Sequence, residues 1–217
     1  MATAIKEKAE VILIDAEGRG INLSLFERDA FQNDSGGAPG KPMYKAEMAY
    51  NPADIEEIED RMADFAEKVW GKGAGDQFLN GENGFINPFI DGDMLAKARE
   101  DKGKTGDAYK GKKILRVKTA FNKDGVEGPG GARVFGPDLS PVGIMEGNQS
   151  EVFNGCYGKI AVTLKEYKDY PRRGDKGITV YLSAFQKTRG EASDALRSEG
   201  GGAPNPFKPV SGAGTTG

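Results

Sequence analysis

The sequence predicts a mainly β domain, a small closed or nearly closed barrel of five strands with one amphipathic helix and long loops, followed by a disordered tail. Three observations predict it. Five short runs alternate apolar and polar residues with the period of two that a strand imposes. One stretch, residues 54–71, carries the three- and four-residue apolar spacing of a helix instead. The intervals between these segments are rich in Gly, Asn, Asp and Pro, the residues of turns and loops.

The first strand is "GINLSLFER" (20–28), in which Ile21, Leu23 and Leu25 alternate with Asn22, Ser24 and Phe26. After the loop "NDSGGAPGK", a second strand, "PMYKAEMAYN" (42–51), leads through Asn51 and Pro52 into the helix. There Ile55, Ile58, Met62, Phe65, Ala66 and Val69 form one apolar stripe, with Asp54 as N-cap and Gly71 as the stop. Residues 72–111 read as loop, with one short helical turn around 94–99. "KKILRVKTAF" (112–121) is the third strand, placing Leu115, Val117 and Phe121 on one face and Arg116 and Lys118 on the other with Ile114 and Ala120. A glycine-rich loop follows, and then "GCYGKIAVTLKEYKDYPRRGDKGITVYLSAFQ" (155–186) supplies the fourth and fifth strands. Ile160, Val162 and Leu164 enter the core there, and Tyr157, Lys159, Ala161, Thr163, Lys165 and Tyr167 face outward. A closed or nearly closed small barrel buries such alternating faces with few exposed edges, and the OB-fold is the five-strand member of that set. Its usual helix lies between the third and fourth strands. Here the helix follows the second, so either an early strand is missed or the helix is an insertion. Residues 1–197 make one domain, and 198–217, rich in Gly, Pro, Ser and Thr, cannot bury enough surface to order themselves.

Composition excludes much chemistry. The 217 residues contain no histidine, which removes the commonest general base and zinc ligand, and one cysteine, Cys156, which allows no intrachain disulfide. The glycines of "GKGAGD" and "EGPGGARVFG" lack the strand, Lys-Ser/Thr and helix of a phosphate cradle. No run approaches the roughly 18 apolar residues of a membrane span, and "MATAIKEKAE" lacks the apolar segment of a secretory signal, so no membrane partner and a cytoplasmic location are expected. The net charge of −3 is unevenly spread. Residues 1–110 carry 14 basic and 22 acidic side chains, a balance of −8, and residues 111–217 carry 16 and 11, a balance of +5.

The basic half also holds the exposed rings. Lys113, Arg116 and Lys118 on the third strand, Tyr157, Lys159, Lys165 and Tyr167 on the fourth, and Tyr181 and Phe185 on the fifth interleave cations with aromatics. The connection "KDYPRRGDKG" adds Tyr170, Arg172 and Arg173. Cations attract a phosphate backbone and each ring can stack a base whatever its sequence, so splayed single-stranded bases satisfy both. Tyrosine and lysine also populate the exposed face of an ordinary antiparallel sheet, where a ring is a packing partner for its cross-strand neighbour.

The order "FINPFIDGD", "YKGKKILRV", "EVFNGCYGKIAVTLKEY", "DKGITVYLSAFQKTRGE" resembles the single-stranded-DNA-binding proteins of tailed bacteriophages over about residues 20–191. The resemblance implies an OB-fold that coats single-stranded DNA during phage replication and recombination, with no cofactor, no metal and no catalysis. The implied partners are the DNA, phage replication proteins and further copies of the chain assembling on the strand. Two other readings stand beside it: a magnesium-dependent nuclease using Asp91 and Asp93 of "DGD", and a phage structural or interaction protein without a nucleic-acid role.

Many single-stranded-DNA-binding proteins end in an acidic tail that competes with DNA, whereas residues 198–217 hold one acid, Glu199, and one base, Lys208. A chain cut after Arg197 is therefore expected to bind an oligonucleotide within about threefold of full length, under ~0.7 kcal/mol. Fluorescence titration of both chains at two salt concentrations checks this; marked tightening on truncation, larger at low salt, is the contrary result.

Overall fold

The computed structural model describes residues 10–29, 43–119, 133–139, 152–169, 171–191 and 196. The tail 198–217, the loops 33–41 and 122–132, and Ala120, Phe121 and Tyr170 lie outside the described residues. The elements are β1 (Glu10–Asp29), β2 (Met43–Tyr50), a 3-10 turn (Pro52–Asp54), α1 (Glu56–Trp70), α2 (Ala74–Asn80), β3 (Phe85–Ile86), β4 (Phe89–Asp91), α3 (Gly92–Glu100), β5 (Lys113–Lys118), β6 (Arg133–Phe135), β7 (Tyr157–Lys168) and β8 (Lys176–Arg189).

Five strands close a barrel in the order β1, β2, β5, β8, β7 and back to β1, with every pairing antiparallel except β5 to β8. This is the OB-fold expected from the sequence. The helix after the second strand is explained as an insertion, because α1, α2, β3, β4 and α3 all lie between the second and third barrel strands. The insertion also helps close the barrel. β3 pairs in parallel with β8, β4 pairs with β5, and the chain between them, Asn87 and Pro88, crosses from one to the other.

β1 begins ten residues earlier than the alternation shows and serves two partners. Its first part pairs with β7 and its second with β2, and bulges between Ile14 and Gly18 and between Gly20 and Asn22 bend it from one to the other. Gly18 is needed at the bend, since a Cβ there would lie 2.5 Å from the ring of the buried Tyr50. The second bulge moves Ile21 off the Leu23 and Leu25 face. Leu23 and Leu25 pack with the barrel core, whereas Ile21 joins a second cluster with Ala49, Ala96, Tyr109 and Ile114 outside the barrel wall, under α3. α1 buries Ile58, Met62, Phe65 and Ala66 against the barrel and stops at Gly71 (φ 94°), as its pattern predicts. Asp54 is not its N-cap. It lies in the preceding 3-10 turn and accepts a hydrogen bond from Asn51 Nδ2 at 2.7 Å, while Ile55 takes the cap position. Val69 falls off the buried stripe, 38% exposed. The short turn expected at 94–99 is the nine-residue α3, capped by Asp91, whose Oδ1 accepts from the backbone N–H of Asp93 (2.8 Å) and Met94 (3.3 Å).

On β7 the expected alternation holds: Ile160, Val162 and Leu164 are fully buried, and Lys159, Thr163 and Lys165 face out. On β8 it breaks. Val162 pairs with Leu182 but Ala161 pairs with Ala184, so Ser183 is an extra residue and the phase inverts beyond it. Tyr181 precedes the bulge and points outward between Val180 and Leu182 of the core; Phe185 follows it and points inward, 0% exposed. Phe185→Ala is accordingly expected to cost about 3–5 kcal/mol, and Tyr181→Ala about 1 kcal/mol or less, in urea unfolding. Equal losses would mean that the phase of β8 does not invert.

Candidate nucleic-acid interface

The outward residues separate into two groups. Arg116 and Lys118 on β5 lie beside Thr179 and Tyr181 on β8, because Lys118 and Tyr181 are the pair that joins the two strands. Lys165 and Tyr167 continue the row on β7, opposite Thr179 and Gly177. Tyr167 lies over Gly177, where a Cβ would come 2.7 Å from the phenol oxygen, so the glycine makes room for the ring. The β7–β8 turn is built by its own aspartates. Gly174 N–H donates to Asp169 Oδ1 (3.0 Å) and Arg172 N–H to Asp175 Oδ2 (3.1 Å), and Arg172 and Arg173 stand exposed at its tip. Of these strand and turn positions on β5, β7 and β8, Arg116, Lys118 and Tyr167 line one groove of about 380 Å³, and Lys165, Tyr181, Arg172 and Arg173 stand beside it.

Tyr157 and Lys159 form the second group, at the other end of β7. Ten residues separate Tyr157 from Tyr167, about 33 Å at ~3.3 Å per residue. The Tyr157 ring is covered by Arg189, whose Cζ lies 3.6 Å from its centroid, and Arg19 is 5.8 Å away. Arg189 Nε in turn donates to Glu17 Oε2 at 2.8 Å, and that bond holds the guanidinium more firmly charged than usual. Lys159 Nζ is bonded to Asp15 Oδ1 at 2.6 Å.

Two positions leave the expected face. Phe185 is buried in the barrel and has no ring to offer a base. Lys113 shares the parity of Leu115 and Val117, so it points to the α1 side of β5, where Nζ is bonded to both oxygens of Glu59 at 2.6 and 2.7 Å. Tyr170 lies outside the described residues. Asp91 and Asp93, the acids of a nuclease reading, are both engaged by backbone: Asp91 caps α3, and Asp93 Oδ1 accepts from Gly111 N–H at 2.8 Å. No group of three His, Cys, Asp or Glu side chains among the described residues is arranged to hold a metal ion.

Contacts the sequence did not reveal surround Arg116. Its Nε donates to Glu47 Oε1 at 2.8 Å across the β2–β5 pair, and Glu47, only 8% exposed, also accepts from the Tyr109 hydroxyl at 3.4 Å. Burial, then the neighbouring Glu47 charge, pushes Tyr109 up to about 12, so it donates as a neutral phenol. Removing the arginine strands a nearly buried carboxylate. Arg116→Ala is therefore expected to cost about 1–3 kcal/mol, and the double variant Arg116→Ala/Glu47→Gln to cost less than the sum of the singles by about 0.5–3 kcal/mol. A double-mutant cycle by urea unfolding checks the coupling; strict additivity would show that the pair carries no mutual energy.

No protein-family model and no curated protein sequence matches the chain. Among solved structures it is similar to the single-stranded DNA-binding protein from bacteriophage Enc34, with 13% identity and a TM-score of 0.54 over 87% of this chain and 84% of that one. It is also similar to the same protein in complex with ssDNA, with 12% identity and a TM-score of 0.52 over 81% and 85% of the two chains. The C-terminally truncated form gives 13%, 0.52, 81% and 84%. Strand order, closure and these superpositions agree that the chain is built on the fold of a bacteriophage single-stranded DNA-binding protein.

Proposed function

We propose that the chain is a non-catalytic single-stranded-DNA-binding protein that coats and protects the strand, largely without regard to sequence, during phage DNA replication and recombination. The observation that carries this reading is the row Arg116, Lys118, Tyr181, Lys165 and Tyr167 on the outer wall of an OB barrel, ending at the exposed Arg172 and Arg173. The third strand and the connection between the fourth and fifth are where OB-folds take oligonucleotides. The Enc34 protein of the same fold has been solved with ssDNA, which supports the same ligand here. Residues 1–197 are the binding domain in this proposal, and further copies of the chain and phage replication proteins are its partners on DNA.

The division of labour follows from the side chains. Lys118, Lys165, Arg172 and Arg173 attract phosphates, and their attraction weakens as salt rises because the counterions released on binding gain less entropy in a more concentrated salt solution. Tyr167 and Tyr181 stack bases, worth roughly 1–3 kcal/mol each and indifferent to base identity. Tyr157 is a poorer platform, since Arg189 already covers one face of its ring.

Mobility shift of a labelled oligonucleotide, with and without magnesium, is expected to show retention without cleavage. Affinity should fall log-linearly between about 50 and 200 mM salt. Lys118→Ala and Lys165→Ala are expected to flatten the slope by about 0.7 each, while Tyr181→Ala lowers affinity with the slope intact. A salt-independent affinity, or equal slope changes from both classes, is the contrary result.

A further inference from the structure

The barrel is not sealed evenly along the seam between β5 and β8. On the side of β8 away from β7, Gly177 is paired with Ile86 of β3 and Tyr181 with Lys118 of β5. Among the described residues no strand pairs with 178–180 on that side. The groove of about 380 Å³ opens over this gap. Ile178 and Val180 point into the barrel core, so only Thr179 and the β8 backbone form its floor. Ile86 and Pro88 line it from the β3–β4 crossing, Tyr167 and Pro171 from the β7–β8 hairpin, and Lys118 from β5.

We propose that this groove takes one unpaired nucleobase of a bound single strand, an inference that rests on the single-stranded-DNA reading and deepens it. A base is a flat heterocycle with apolar faces and a polar edge. Tyr167, the two prolines and Ile86, which leaves 38% of its surface exposed, offer contact to the faces. The backbone N–H and C=O groups of the seam gap offer hydrogen bonds to the edge, which replace bonds to water at small net cost. Lys118 at the groove, with Arg172 and Arg173 on the adjoining turn, is placed for the flanking phosphates, so the charge of the surroundings complements the strand and its slot complements the base. A duplex base has its edge paired and its faces stacked and enters only by being flipped out, which costs unstacking energy. The groove therefore favours single strands beyond what charge alone provides.

Photocrosslinking of the full chain to a thymidine oligonucleotide carrying 5-iodouracil, with mass spectrometry of the products, is expected to place crosslinks on Tyr167. Thr179→Leu, which fills the floor, is expected to lower affinity for the oligonucleotide about tenfold, within the worth of one stacked base, to suppress the Tyr167 crosslink and to leave the salt slope unchanged. Ile86→Ala, which removes one wall at an exposed position, is expected to lower affinity severalfold if Thr179→Leu does not fold. Salt-dependent retention with crosslinks confined to other residues, or with both variants within twofold of the parent, overturns the groove and leaves single-strand binding standing. No retention of any oligonucleotide at 50 mM salt overturns the binding reading itself.

Discussion

Closure of the barrel between β5 and β8 is the constraint on which the other features depend. The two strands run parallel and meet directly at one pair, Lys118 and Tyr181. A single pair is a weak join, and neighbouring pieces reinforce it: β3 and β4 bridge the seam before it and β6 adds to β8 after it. Without closure β5 and β8 would each present a free edge. With it, the cations of β5 stand next to the rings of β7 and β8, which lie far away in the chain. The groove is the part of the seam that these reinforcements leave uncovered.

Bulges decide which residues reach that wall. A strand that alternates strictly would put Tyr181 and Phe185 on one face, and the extra residue Ser183 separates them, one to the surface and one to the core. In β1 the same device turns one strand from its partner β7 to its partner β2 and moves Ile21 to the outside, where α3 and Tyr109 cover it. That second cluster covers the Ala49 and Ile114 end of the β2–β5 wall, so the insertion both completes the barrel and narrows its accessible face.

Many of the cations are already partnered. Lys113 pairs with Glu59, Arg116 with Glu47 and Lys159 with Asp15, so a count of basic residues overstates what a phosphate backbone meets. Exposed pairs such as Lys159 with Asp15 are worth little and yield readily to another anion. Arg116 differs because its partner is nearly buried, and its charge balances Glu47 before it can serve a ligand.

The sequence by itself determined the five barrel strands, the acidic helix with its stop at Gly71, the inward and outward sets of β7, and the placement of Arg116 and Lys118 together on one face. These are local consequences of a period of two or of 3.6, readable from neighbours a few residues apart. Only the tertiary structure decided the rest. Phe185 and Ile21 changed sides because a bulge depends on the partner strand, which no local pattern displays. The face of Lys113 follows from its parity with Leu115 and Val117, and what the tertiary structure added is its partner there, Glu59, 54 residues earlier in the chain. The groove brings Ile86 and Pro88 beside Tyr167 and Thr179 through a parallel pairing of two residues, too short to carry a periodic signal, and long-range contact alone sets it.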